Sequence, residues 1–228
     1  MDRGYNKKMR FLKLLLFLFI LVCPFVHAET KVSQILEKIV ENHKQFATGM
    51  SVPYQREILK KSMAMLEGDM GVDKASGIFF FKGPNFLKVQ QDTPSVEYVI
   101  SNGQSMWLYI PDEKTAYRYD DMGKELSIFS MIFMGLKNPA DTFDITLAAS
   151  ETAGEYNLTL TPSETWEEID HINVKVSEKD YKITQIEIFD VIGNLTRFKL
   201  GEFEKKNDID DSFFDFKVPE GVKVVKEE

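Results

Sequence analysis

Side chains able to do acid–base, nucleophilic or metal chemistry are few and scattered in this chain. His27, His43 and His171 are its three histidines, and Cys23 is its one cysteine. His43 ends an apolar stripe and His171 follows Asp170 in an alternating stretch, and neither has the companion ligands at the spacing a zinc site needs. No glycine-rich phosphate loop, nucleophile elbow or HExxH motif is present. Glu167-Glu168 and the acidic run Asp208–Asp211 read as solvated loop charge. A hydrolase built on a Ser–His pair is the one catalytic reading these residue types leave open. The chain is read as a non-enzyme, with no metal and no cofactor implied. The positive signal is greasy: 18 phenylalanines and ten methionines, residue types that adapt to irregular apolar ligands.

The elements that must position such a surface begin after a leader. Arg3, Lys7, Lys8 and Arg10 precede an apolar run from Phe11 to Val22 broken only by Lys13, and Val26-His27-Ala28 closes it. This is the pattern of a secretory signal peptide cut after Ala28, and the apolar run is shorter than the ~20 residues a membrane span needs. Val22 stands before Cys23 where lipoprotein processing wants a small residue. The organisation is therefore read as 1–28 signal peptide and 29–228 one domain, exported and free of cysteine. Removing the leader takes five basic residues and one acidic one, moving the formal charge from −8 to −12. Nucleic acid and anionic lipid are poor partners for such a chain.

Thr30 is placed to cap a helix through Phe46, with Val32, Ile35, Leu36, Ile39, Val40, His43 and Phe46 on one face. Residues 50–65 are read as strand. Gly77 to Tyr109 forms three strands with apolar residues on both faces, so either something packs on each side or one side is kept for a ligand. Thr115–Tyr119 continues the pattern. Leu126–Leu136 is apolar nearly all round, a buried segment or a mobile plug over an apolar hollow. Thr142–Leu147, Tyr156–Thr161, Ile169–Val176, Ile183–Phe189, Leu195–Leu200 and Phe213–Val218 alternate between short polar connections. The spacing predicts an antiparallel meander of about 10–11 strands curling toward a barrel.

Four stretches together resemble a known family. Gly77-Ile78-Phe79-Phe80-Phe81-Lys82-Gly83-Pro84, then Ser101-Asn102-Gly103 with Trp107, Tyr109 and Pro111, is similar to the signature of the outer-membrane lipoprotein carrier family, LolA. Asp190-Val191-Ile192-Gly193-Asn194 resembles that family's DxxGN turn, and Phe214 to Val222 its FxFxxPxGV ending. The resemblance implies a mainly β (α+β) fold: a strongly curved, unclosed antiparallel half-barrel with a helical lid over its concave apolar face.

The resemblance also implies a periplasmic carrier that shields the acyl chains of lipoproteins between the inner and outer membranes. The implied partners are acylated lipoproteins, an inner-membrane lipoprotein-releasing ABC transporter and an outer-membrane acceptor lipoprotein, with the carrier a monomer. A carrier or sensor of another envelope lipid or glycolipid on the same fold is the alternative. Strand parity and the resemblance nominate Phe80, Leu87, Val89, Trp107, Tyr109, Ile186 and Ile188 for the apolar cavity, and Ile35, Leu36, Ile39, Phe129, Ile132 and Phe133 for the lid. Gly83 stands where the family carries an arginine that fastens the lid, so that fastening is either absent here or supplied by Lys82 or another group.

Overall fold

A computed structural model describes residues 23–61, 71–120, 123–136, 139–150, 152–166, 168–207 and 209–227. Among these residues two α-helices, α1 (Cys23–His43) and α2 (Gly123–Phe133), accompany thirteen strands. These are β1 (Met50–Leu59), β2 (Val72–Lys82), β3 (Phe86–Thr93), β4 (Glu97–Asn102), β5 (Met106–Ile110), β6 (Thr115–Tyr119), β7 (Phe143–Ala148), β8 (Glu155–Pro162), β9 (Ile169–Ser177), β10 (Ile183–Asp190), β11 (Leu195–Leu200), β12 (Glu204–Lys205) and β13 (Lys223–Glu227). They form one curved, unclosed sheet in the order β13-β6-β5-β4-β3-β2-β1-β11-β10-β9-β8-β7, with β12 paired to β1. Every pairing is antiparallel except β13 with β6.

Register assigns each side chain to a face. Phe79 stands opposite Val52 and Val89, whereas Phe80 stands opposite Ser51 and Lys88. Following the first row across the sheet gives an inner face of Met50, Val52, Tyr54, Phe79, Phe81, Leu87, Phe198, Ile186, Val174 and Leu158. All of these are buried, in one cluster with Ile35 and Ile39 of α1 and with Phe129, Ile132 and Phe133 of α2. Burial of this area is the main stabilising term of the fold.

The outer face is covered as well, by a different device. After a 3-10 turn at Asp211–Phe214, capped where Asp210 accepts from the Ser212 amide at 2.9 Å, the chain lays three phenylalanines across β2–β5. Phe213 packs on Phe80 at 5.2 Å between ring centroids, Phe214 on Phe86 at 5.4 Å, and Phe216 on both Trp107 and Tyr109 at 5.2 Å. Lys82 Nζ ties this strap down, donating to Ile209 O at 2.8 Å and to Asp211 Oδ1 at 2.6 Å. Asn102 donates to Asp215 at 3.1 Å. The doubly apolar strands are thus explained by cover on both sides.

Several expectations change. Phe213–Val218 is no strand, because its aromatic rings dock on the outer face instead of pairing backbone to backbone; the C-terminal strand is Lys223–Glu227, along the β6 edge. Among the described residues strands number thirteen rather than 10–11: the stretch from Gly77 to Tyr109, read as three strands, holds β2 to β5, because the break at Thr93-Pro94 and the turn at Ser101–Gln104 each separate two strands, and β12 and β13 have too little alternation to be read. The helix Cys23–His43 runs through Thr30, so Thr30 caps nothing. The strand expected over 50–65 ends at Leu59, and residues 62–70 lie outside the described residues, as do residues 1–22 of the leader.

Gly77 marks a close approach of two backbones. It follows a register shift between β2 and β3, and a Cβ there would lie 1.9 Å from Gln90 O. Neither atom belongs to a flexible side chain, so relief requires the strands to part. Gly77→Ala is expected to lower stability by about 1–3 kcal/mol, the usual range for overpacking, as measured by urea denaturation; an unchanged midpoint would contradict this reading of the sheet.

Candidate functional site

The inner face between β2 and β11 is where the sheet's apolar surface meets the short helix α2. Nearly every side of this helix carries an apolar residue: Ile128, Phe129, Ile132, Phe133 and Leu136 beyond its end are buried, and Met131 and Met134 are half-buried. Phe129 lies 5.3 Å from Phe79 and 5.0 Å from Phe198, ring to ring, and Phe133 lies 5.1 Å from Phe79 and 5.8 Å from Phe81. Tyr54 stacks at the edge of this group, 4.5 Å from Phe79, and burial pushes its hydroxyl up to about 12. The hollow of the curved sheet is therefore occupied by the protein's own phenyl rings.

How α2 ends determines how it meets α1. Leu136 N donates to Met131 O and Gly135 N to Ile132 O, at 3.0 and 2.9 Å, with Gly135 at φ +77°. This is the double hydrogen bond of a glycine-terminated helix. A Cβ on Gly135 would lie 2.8 Å from His43 Cβ and 3.1 Å from Ile39 O, so only glycine lets the end of α2 rest on the end of α1. His43 is buried among Phe46 and Phe203. Its Nδ1 bonds Ile39 O at 2.9 Å, and its Nε2 is buried without a partner. Beside this junction lies a small apolar cavity of about 200 Å³, lined by Val40, Phe46, Phe81, Gly83, Phe133 and Met134 among others.

The residues nominated from the sequence divide by face. Leu87 and Ile186 are buried on the inner face, and Val89 and Ile188 are half-buried against the same cluster. Phe80, Trp107 and Tyr109 are on the opposite face, under the C-terminal strap, so they do not belong to the hollow. In β5 the two parities are equally apolar, and the sequence offers no sign of which one the helices cover. The nominated helix residues Ile35, Ile39, Phe129, Ile132 and Phe133 are buried, with Leu36 half-buried against them. Lys82 does not fasten the helices, because its ammonium is engaged by the strap. Sequence reasoning missed Phe198, the ring against which Phe129 packs, and Arg56, whose even offset from Tyr54 was the available signal.

Polar chemistry is sparse at this site. Among the described residues no group of three His, Cys, Asp or Glu could hold a metal ion. His171 pairs with Asp170 at 2.7 Å and stacks on Phe189, on the outer face. No described helix is long and apolar enough to cross a membrane. The site's chemistry is that of an apolar surface, aromatic rings of the sheet packed against those of α2.

An unclosed, curved antiparallel sheet with helices docked on its apolar face defines the structural class. A solved structure of an uncharacterized conserved protein from Thermus thermophilus shares this fold with a TM-score of 0.52 at 10% identity, over 86% of this chain and 99% of that one. The family model described as "Outer membrane lipoprotein carrier protein LolA" matches residues 65–217, and the chain belongs to that family. An outer-membrane lipoprotein carrier protein of Azotobacter vinelandii is 27% identical over 157 residues, 68% of this chain and 74% of the relative. One from Pseudomonas paraeruginosa is 23% identical over 185 residues, 80% of this chain and 87% of the relative.

Burial holds the His43 pKa below its usual 6.5. Above that pH the ring is neutral folded and unfolded alike. As pH falls from about 6.5 toward the lower folded value, the unfolded chain takes up a proton that the folded chain refuses, so stability declines across that window. Replacing His43 with Gln is expected to flatten this part of the stability–pH curve whatever it does to stability at pH 8; an unaltered slope in chemical denaturation between pH 6.5 and 5 would refute the assignment.

Proposed function

We propose that this protein is a periplasmic carrier of lipoproteins, holding their acyl chains on the inner face of the sheet while they cross the water between two membranes. The observation that carries this reading is α2: a short, nearly all-apolar helix whose Phe129, Ile132 and Phe133 fill the hollow of an unclosed sheet. Its family membership supports the cargo class. An inner-membrane ABC transporter would load it and an outer-membrane acceptor lipoprotein would unload it, with residues 1–28 serving as the export leader and residues 29–228 acting as a monomer.

Energetics favour exchange over simple uptake. Burying a chain of about 14 carbons releases on the order of 11 kcal/mol at ~0.8 kcal/mol per methylene, already close to nanomolar binding. A carrier that buried several chains at that gain could not deliver them. Displacing three large apolar side chains of α2 costs about 1.5–3 kcal/mol each, which offsets much of the first chain's gain. The helix is then a lid and a counterweight together, and the two states lie within reach of each other.

Hydrogen exchange reads this directly. Adding a lipopeptide with two acyl chains is expected to speed amide exchange across residues 128–136 while slowing it in β1, β2 and β11. Exchange in α2 that is no faster with the lipopeptide bound would sink the proposal. Mass spectrometry of the lipid that copurifies from the periplasm decides the cargo: a glycolipid or other free envelope lipid in place of acylated protein would favour the alternative carrier reading.

A further inference from the structure

Arg56 is out of keeping with its surroundings. In β1 it occupies the same parity as Met50, Val52 and Tyr54, opposite Ala75 on β2 and Phe198 on β11. Its row continues through Ile186, Val174 and Leu158. A guanidinium, permanently charged, thus interrupts a line of apolar side chains on the inner face. Its Nε is buried and has no hydrogen-bond partner.

The other two arginines among the described residues are neutralised. On the outer face Arg197 Nε donates to Glu187 at 2.7 Å and its Nη1 lies 3.5 Å from Glu57, and Arg118 lies 3.6 Å from Asp120. Arg56 has no carboxylate within ion-pair distance among the described residues. Glu57 beside it points to the other face, where it meets Arg197 and, at 3.8 Å, Lys74. Asp73, one pair further along the inner face, is held by Lys60 at 2.8 Å. A buried donor on a charged group is costly unless it gains an acceptor, and the described residues supply none to Arg56 Nε.

Position adds what chemistry alone does not. Phe198, directly across from Arg56, is the residue whose ring receives Phe129 of α2 at 5.0 Å. Arg56 is therefore the cross-strand neighbour of the residue whose ring a hydrocarbon chain would meet in place of Phe129. We propose that Arg56 is the polar anchor of the hollow and binds an oxyanion, a carboxylate or a phosphate, at the head of an acyl-chain ligand. This rests on the apolar hollow of the carrier reading above and points to its alternative cargo, a free envelope lipid: the ligand the site is built for is an anionic amphiphile, met by this one guanidinium in spite of the chain's net negative charge. The fork of the guanidinium takes such an oxyanion through two parallel hydrogen bonds, and α2 and the aromatic rings of β2 and β11 select only for hydrocarbon.

Binding of three probes of one chain length tests this, using the full-length exported protein: palmitate, a lysophosphatidylglycerol and the uncharged hexadecanol. The expected result is that wild type binds one or both anionic probes at least about tenfold more tightly than the alcohol. Arg56→Gln should abolish that preference while leaving hexadecanol affinity unchanged, and Arg56→Lys should restore part of it. A preference for palmitate assigns the anchor to carboxylates, and one for the lysolipid to phosphates. Wild type that binds hexadecanol as well as either anion would overturn the anchor and leave the carrier reading standing. Wild type that binds none of the three would overturn both. Arg56→Gln that weakens all probes equally would make Arg56 structural, and the hexadecanol measurement on the same variant separates that outcome from loss of the anchor.

Discussion

The contact of Phe129 and Phe133 with Phe79, Phe81 and Phe198 is the interaction on which the rest of the structure depends. A sheet that curls without closing has an apolar inner surface and no second sheet to bury it against. Something must cover that surface, and the cover determines what the protein can do. Here it is in large part a helix of 11 residues, seated on α1 through one glycine.

The two faces of the same strands are treated differently. On the outer face the cover is a strap held by aromatic contacts, by Lys82 on Asp211 and Ile209, by Asn102 on Asp215, and by the parallel pairing of β13 with β6. On the inner face α2 is held by packing, and the polar atoms near it lack partners: His43 Nε2 and Ser130 Oγ are both buried and unbonded. Hydrogen bonds and ion pairs define one geometry, whereas apolar contacts tolerate replacement by other apolar groups. Among the described residues, polar fastenings fix the outer cover, whereas the inner one rests on apolar packing.

Charge follows the same division. The outer face near β1 carries Glu187, Arg197, Glu57 and Lys74 as a row in which each charge meets its opposite. The inner face carries one arginine without a counterion among the described residues. Of the four buried polar side-chain atoms without a partner among the described residues, His43 Nε2, Arg56 Nε and Ser130 Oγ lie on the greasy side and Asn157 Oδ1 on the other.

Much of this was legible in the sequence. Alternation located β6 to β11 within a residue or two, because each strand pairs with a sequence neighbour through a short connection and needs no distant information. The apolar stripe of Ile35, Ile39 and His43 and the all-round greasiness of 126–136 identified the two helices that cover the sheet, and the four motif stretches identified the family. Only the tertiary structure decided which face is which. In β2 and β5 both parities are apolar, since both faces are covered, so Phe80, Trp107 and Tyr109 were indistinguishable from true inner residues until the register was known. The strap could not be foreseen either, because Phe213, Phe214 and Phe216 read as a strand, and it is distant rings on β2, β3 and β5 that make them a clasp. Composition and periodicity establish that a surface must be buried; which partner buries it is settled only when the chain has brought those partners together.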